Sequence, residues 1–323
     1  MTTDLSAKNP AADLPLPDAA DAVLIIGHGT RDPAGLAEFR FFVDQVARQR
    51  TDWHVAGCFL ELAEPSIAVA VDRLAAAGVS RIRAMPLMLF SAGHVKRDIP
   101  DALAQAMAQH PGVEIEFCQP LGCHEAIVEL SIERYRQAIL EQATAEQEGV
   151  SPNETLLILV GRGSSDAEAT AEMQRLAHLR RVGTPPGILG SRPSVVGPSS
   201  RASETSDRPA ETGGAGSPDE ELDLQPSHVE IGFVAMATPS LGQVLEEAAR
   251  TDFRRVIVQP HLLFAGSVLA EIRRLVVRQQ LADVERANCG RQWIVTEALG
   301  PDPRLVTAVV DIVSAVTPRP HGN

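Results

Sequence analysis

His28, Glu61 and His94 are three residues of metal-ligand type set 33 residues apart, each just past a stretch that reads as a β-strand. Imidazoles with a carboxylate suit borderline divalent ions such as iron, cobalt, nickel or zinc, and an incomplete protein shell leaves positions for a substrate. Each residue also has an ordinary reading. A histidine between glycines can bond loop backbone, a glutamate can sit at a helix entry, and a histidine can cap a helix. Three of them at successive strand ends point instead to one shared site.

Those positions require strands that end on one edge. Apolar or alternating runs at 23–26, 54–60, 81–90 and 113–117 alternate with helical patterns: one through about Arg50, one opened by Pro65-Ser66, one from about Val95, and one over about 123–143. Strand–helix alternation implies right-handed crossovers and a parallel sheet covered on both faces, with ligands bound beyond the carboxyl ends of the strands. The pattern restarts at 156–160 with a helix to about Arg181. It resumes with strands at 229–235, 254–263 and 293–296, and with helices opened by Pro239-Ser240, over 267–281 and over 302–316.

The second run repeats the first. Ala63-Glu64-Pro65-Ser66 lies against Ala237-Thr238-Pro239-Ser240, and in both copies the next strand's proline, Pro86 or Pro260, follows 21 residues later. Leu89-Phe90-Ser91-Ala92-Gly93-His94 faces Leu263-Phe264-Ala265-Gly266-Ser267, one residue shorter, and Leu121-Gly122 faces Leu299-Gly300. This is an internal duplication. Gly161-Arg162-Gly163 answers Gly27-His28-Gly29, while Ala235 and Ser267 stand where the first copy has Glu61 and His94. The expected fold class is therefore α/β, with two tandem domains, each a mainly parallel four-stranded sheet flanked by helices. The expected divisions are a disordered tail at 1–20, a chemically equipped domain at 21–148, and a degenerate copy at 149–323. A Gly-, Pro-, Ser- and acid-rich insertion at about 182–227 is too poor in apolar residues to fold.

Composition narrows the partners. A net charge of −13 argues against broad nucleic-acid binding, and no apolar run approaches the roughly 20 residues needed to span a bilayer. Four scattered cysteines make no disulfide framework, which with the lack of a signal-peptide pattern points to a reducing cytoplasm. Cys118, Cys123 and His124 do not have zinc-site spacing, His261 reads as a core or loop histidine, and Gly161-Arg162-Gly163-Ser164-Ser165 lacks the lysine of a P-loop. Gly27, Gly29 and Gly93 would let backbone approach a bound molecule. Arg162 could hold a carboxylate, and Arg31, Lys96 and Arg97 lie close in sequence to these loops.

Leu24-Ile25-Ile26-Gly27-His28-Gly29-Thr30-Arg31, Phe59-Leu60-Glu61 before Pro65-Ser66-Ile67, and Pro86-Leu87 before Ala92-Gly93-His94-Val95 and Asp98-Ile99-Pro100 together resemble the sirohydrochlorin chelatase family. These are the class II chelatases of cobalamin and siroheme synthesis, and the tandem arrangement resembles their long cobaltochelatase form. The resemblance implies ATP-independent insertion of Co²⁺ (favoured) or Fe²⁺ into sirohydrochlorin, with no cofactor beyond the metal substrate. By position it makes His28 and His94 metal-holding and proton-accepting groups, with Glu61 a further ligand or acid–base group. Single-domain relatives pair as homodimers, so the tandem chain is expected to be a monomer that encloses its tetrapyrrole between its own halves. The alternatives are a nickel or protoporphyrin chelatase, or a noncatalytic metal or tetrapyrrole carrier.

Overall fold

The run at 23–26 forms the middle of β1 (Asp21–Gly27), buried from Ala22 to Gly27 as a central strand covered on both faces must be. The computed structural model describes residues 21–142, 150–182, 226–285 and 290–316, apart from the side chains of His94 and Gln142. The expected tail at 1–20 and residues 183–225 of the expected insertion lie outside the described residues. The first half continues with α1 (Pro33–Gln49), β2 (His54–Phe59), α2 (Ile67–Ala76), β3 (Arg81–Pro86), α3 (Ile99–Gln109), β4 (Glu114–Phe117) and α4 (Glu125–Gln142). The second comprises β5 (Thr155–Gly161), α5 (Ala167–Val182), β6 (His228–Phe233), α6 (Leu241–Ala248), β7 (Arg255–Pro260), α7 (Ser267–Glu285), β8 (Gln292–Val295) and α8 (Pro303–Ala315).

Each half is a four-stranded parallel sheet, ordered β2-β1-β3-β4 and β6-β5-β7-β8. The chain leaves β1 to one side for β2 and returns on the other side as β3. The carboxyl end of β1 is therefore the topological switch point where α/β sheets bind ligands. Strand β3 stops at Pro86 rather than running to Phe90, because proline offers no N–H to extend the ladder. Leu87 still donates to the Ile26 carbonyl at 2.8 Å, as His261 does to Val160 at 2.8 Å.

The helix expected from Val95 begins differently from its counterpart. His94–Asp98 forms a π-helical turn before α3, whereas α7 starts directly at Ser267. Ile99 and Ile272 are both fully buried and occupy matching places on the two sheets. The first copy is one residue longer on the way there, and the wider turn falls in that segment, a device that recurs at functional sites.

The halves are interlocked rather than merely adjacent. Leu305, Val306, Val309 and Val313 of α8 are buried with Val23, Phe42 and Met85 of the first half. Val128, Tyr135 and Ile139 of α4 are buried with Leu157, Met173 and Ile257 of the second. Each half's last helix thus covers the other half's sheet, and burying each such side chain contributes about 1.5–3 kcal/mol. The division expected near residue 148 separates the sheets but not the cores. Arg134 reinforces the join, donating from Nη2 to the Leu299 carbonyl at 2.6 Å. A pair of equivalent phenylalanines is exchanged as well: Phe264 lies 6.4 Å from Phe39 in the first half, and Phe90 packs on the second half's core. Among the described residues no helix is long and apolar enough to cross a membrane.

Candidate functional site

Beyond their last ladder pairs β1 and β2 stay joined. Leu60 donates to the Gly27 carbonyl at 2.9 Å and Glu61 to the His28 carbonyl at 3.1 Å. This brings the two side chains together, with His28 Nε2 3.4 Å from Glu61 Oε1, and His28 Nδ1 lies 3.2 Å from the Gly29 carbonyl oxygen. The third residue, His94, opens the π turn beyond β3, the strand on the other side of β1. Its backbone is at the required edge, and its side chain lies outside the described residues.

The second half keeps this backbone and changes the chemistry. Val234 donates to Gly161 at 3.1 Å and Ala235 to Arg162 at 2.9 Å, so Arg162 and Ala235 occupy the places of His28 and Glu61. Gly29 and Gly163 have φ of 98° and 93°, and a Cβ on either would lie 1.7 Å from the carbonyl oxygen of Glu61 or Ala235. Only glycine fits there. The next residues, Leu62 and Met236, have φ of 64° and 59° and expose large apolar side chains at the rim of the clefts.

His28 borders two clefts of about 490 Å³ each and a smaller one of about 200 Å³. Both larger clefts run between the halves, a size and position suited to a small-molecule ligand. Arg162 lines both, Arg31 lines one and Arg97 the other, with Gly93 beside Arg97. Gly29 lines the cleft that holds Arg31, and Gly27 lines the smallest. In an acidic chain these arginines concentrate positive charge around His28, which suits a molecule bearing carboxylates.

Lys96 is not part of this lining. Its ammonium bridges to Asp166 at 2.7 Å and Glu168 at 2.6 Å, side-chain hydrogen bonds that raise its pKa above the ordinary lysine range. It ties the π turn to the loop before α5 and to the first turn of that helix. Lys96→Ala is therefore expected to leave steady-state substrate affinity within about twofold, as exposed ion pairs contribute little.

The weaker candidates separate in space. Cys118 is buried in the first core, with its thiol pushed up to about 11 by burial. Cys123 packs against another core, pushed up to about 12 by burial. His124 faces Asp311 of α8 at 3.7 Å. Among the described residues, to which the His94 side chain does not belong, no group of three His, Cys, Asp or Glu forms a metal cluster. His261 is in the core, as expected, at 3% exposure, but it also lines the cleft that holds His28 and Arg162.

The CbiX family model matches residues 22–138 and 220–316, one segment in each half. The chain belongs to the CbiX family. Curated relatives include a sirohydrochlorin ferrochelatase of Priestia megaterium, 28% identical over 79% of this chain and 78% of that protein. A sirohydrochlorin cobaltochelatase of the same organism is 25% identical over 80% of this chain and 70% of its own length. The fold of this CbiX chain matches SirB from Bacillus subtilis with Fe³⁺, at a TM-score of 0.66 and 22% identity over 91% of this chain and 94% of that one. The cobalt complex of SirB from B. subtilis subspecies spizizenii gives 0.61 and 21% over 91% and 94%. A shorter relative, the sirohydrochlorin cobaltochelatase of Methanosarcina barkeri, aligns over 36% of this chain but 95% of its own, 31% identical. A CbiX unit is thus about the length of one half, and this chain carries two.

Proposed function

We propose that this CbiX chain inserts a divalent metal, Co²⁺ or Fe²⁺, into sirohydrochlorin without ATP, acting as a monomer with no resident cofactor. The observation that carries the reading is the His28–Glu61 pair, 3.4 Å apart at the switch point of the first sheet and bordered by inter-half clefts with three arginines. Insertion removes two pyrrole N–H protons while the metal sheds its other ligands. A neutral imidazole can serve as ligand or as proton acceptor, and a carboxylate beside it offsets metal charge and passes the proton outward. Arg31, Arg97 and Arg162 would meet the acetate and propionate groups of the macrocycle.

In this reading the chemistry belongs to the first half. His28, Glu61 and His94 hold metal and protons; the second half supplies Arg162 and a wall of the cleft. The exchanged helices and shared clefts support the monomer, since one chain builds both walls. Tandem architecture alone does not choose the metal, because full-length relatives are named as ferrochelatase and as cobaltochelatase. Ligand type does not choose either, as imidazole and carboxylate accept both ions.

The test is the visible spectrum of sirohydrochlorin under anaerobic conditions with purified protein and Co²⁺, Fe²⁺ or Ni²⁺ and no nucleotide. Multiple turnovers to the metallated product are expected with Co²⁺ or Fe²⁺, and competition between the two gives the preferred ion. Stoichiometric binding without turnover would identify a carrier and overturn the enzyme reading.

A further inference from the structure

His261 and Leu87 are equivalent residues in the two halves, each donating its backbone N–H across the central strand and each 3% exposed. The first half fills this position with an apolar side chain. The second half places an imidazole there, and among the described residues neither buried ring nitrogen has a hydrogen-bond partner. A buried polar group left unpaired costs stability that leucine in the same space would not. His261 lines the cleft that also holds His28, Arg97 and Arg162, and the Phe90 ring of the other half lies 5.3 Å from its imidazole at 30°.

A second incompletely satisfied group is near enough to act on it electrostatically. Arg180 of α5 is fully buried, donates from Nη1 to Ser131 Oγ at 2.6 Å and to Gln259 Oε1 at 3.0 Å, and among the described residues leaves Nε and Nη2 without a hydrogen-bond partner. Among the described residues it has no carboxylate partner. Burial, with the Arg180 charge adding to it, holds the imidazole neutral by lowering its pKa to about 3. A neutral imidazole carries one N–H donor, and a buried cation nearby favours an anion as that donor's partner.

We propose that His261 is a substrate contact from the second half, its imidazole N–H hydrogen-bonding a carboxylate of the bound tetrapyrrole with the buried Arg180 charge nearby. The inference rests on the tetrapyrrole reading above. It gives the second half a direct part in recognition, beyond supplying Arg162.

The test compares wild-type protein with His261→Leu, which installs the first half's residue, His261→Phe, which keeps ring volume, and His261→Gln, which keeps a neutral donor. Absorbance titration of the full chain with metal-free sirohydrochlorin should show Kd rising about tenfold in the Leu and Phe variants and mostly recovering in Gln. Co²⁺ affinity in the absence of tetrapyrrole should not change, and the melting temperature of the Leu variant should hold or rise. Unchanged tetrapyrrole Kd in the folded Leu or Phe variant would show a packing histidine and overturn the inference. Loss of metal binding without tetrapyrrole would make His261 a metal ligand and also overturn it. If wild-type protein binds no sirohydrochlorin, the proposed function fails first and takes this inference with it; binding by wild type with no effect of the variants defeats the inference alone.

Discussion

His28→Ala is expected to lower kcat/KM for metal insertion about 10²–10⁴-fold, the range for removing a positioned proton acceptor. Arg162→Ala, at the same place in the second half, should leave metal affinity within about twofold, since a guanidinium stays protonated and is no ligand. The two residues sit on matching backbone, each carbonyl accepting from the residue that pairs with it, Glu61 or Ala235. A difference between the variants therefore reports side-chain chemistry and not a difference in fold. His94→Ala should behave as His28→Ala if the residue at the head of the π turn completes the site. The measurement is anaerobic initial rates together with a metal titration. Comparable loss of metal binding in the His28 and Arg162 variants would contradict a single site in the first half.

The even spacing that singles out His28 and Glu61 in the sequence has a structural cause. Each strand–helix unit of this size returns the chain to the same sheet edge, and β2 and β1 stay hydrogen-bonded one pair past the ladder, so Glu61 arrives beside His28. The alternation of apolar runs and helical patterns carries that much. Its hydrophobic pattern also marks α4 and α8 as helices but not which sheet they cover, because an apolar face fits either core equally well; their exchange is decided by three-dimensional closure. Lys96 reads as a substrate contact because it adjoins His94, while its partners Asp166 and Glu168 come from the start of α5 and the residue before it, far along the chain. His261 reads as a core or loop histidine, and it is buried just past the end of β7. What the sequence did contain was its alignment with Leu87, a histidine where the duplicate has a purely apolar residue, and only the cleft wall gives that difference a meaning.

Gly29→Ala and Gly163→Ala separate folding from chemistry with one matched pair of substitutions. Both glycines have φ near 95°, where an L-residue is strained, and in both a new Cβ would come within 1.7 Å of a carbonyl oxygen that belongs to backbone and cannot rotate away. The backbone conformation alone costs about 1–3 kcal/mol, and displacing the neighbouring segment adds to it, so each variant should melt at least about 5 °C lower. The displaced segments differ in what they carry. In the first half it is Glu61, held 3.4 Å from His28; in the second it is Ala235, which has no reactive group. At temperatures where both variants remain folded, Gly29→Ala should lose at least about tenfold in kcat, because a shift of 1 Å in a positioned group is enough to do so. Gly163→Ala should keep kcat within about threefold of wild type and show its main effect on tetrapyrrole KM through the neighbouring Arg162. Equal losses of kcat per folded molecule would mean that the second half takes part in the chemical step, and the assignment of metal insertion to the first half would then be wrong.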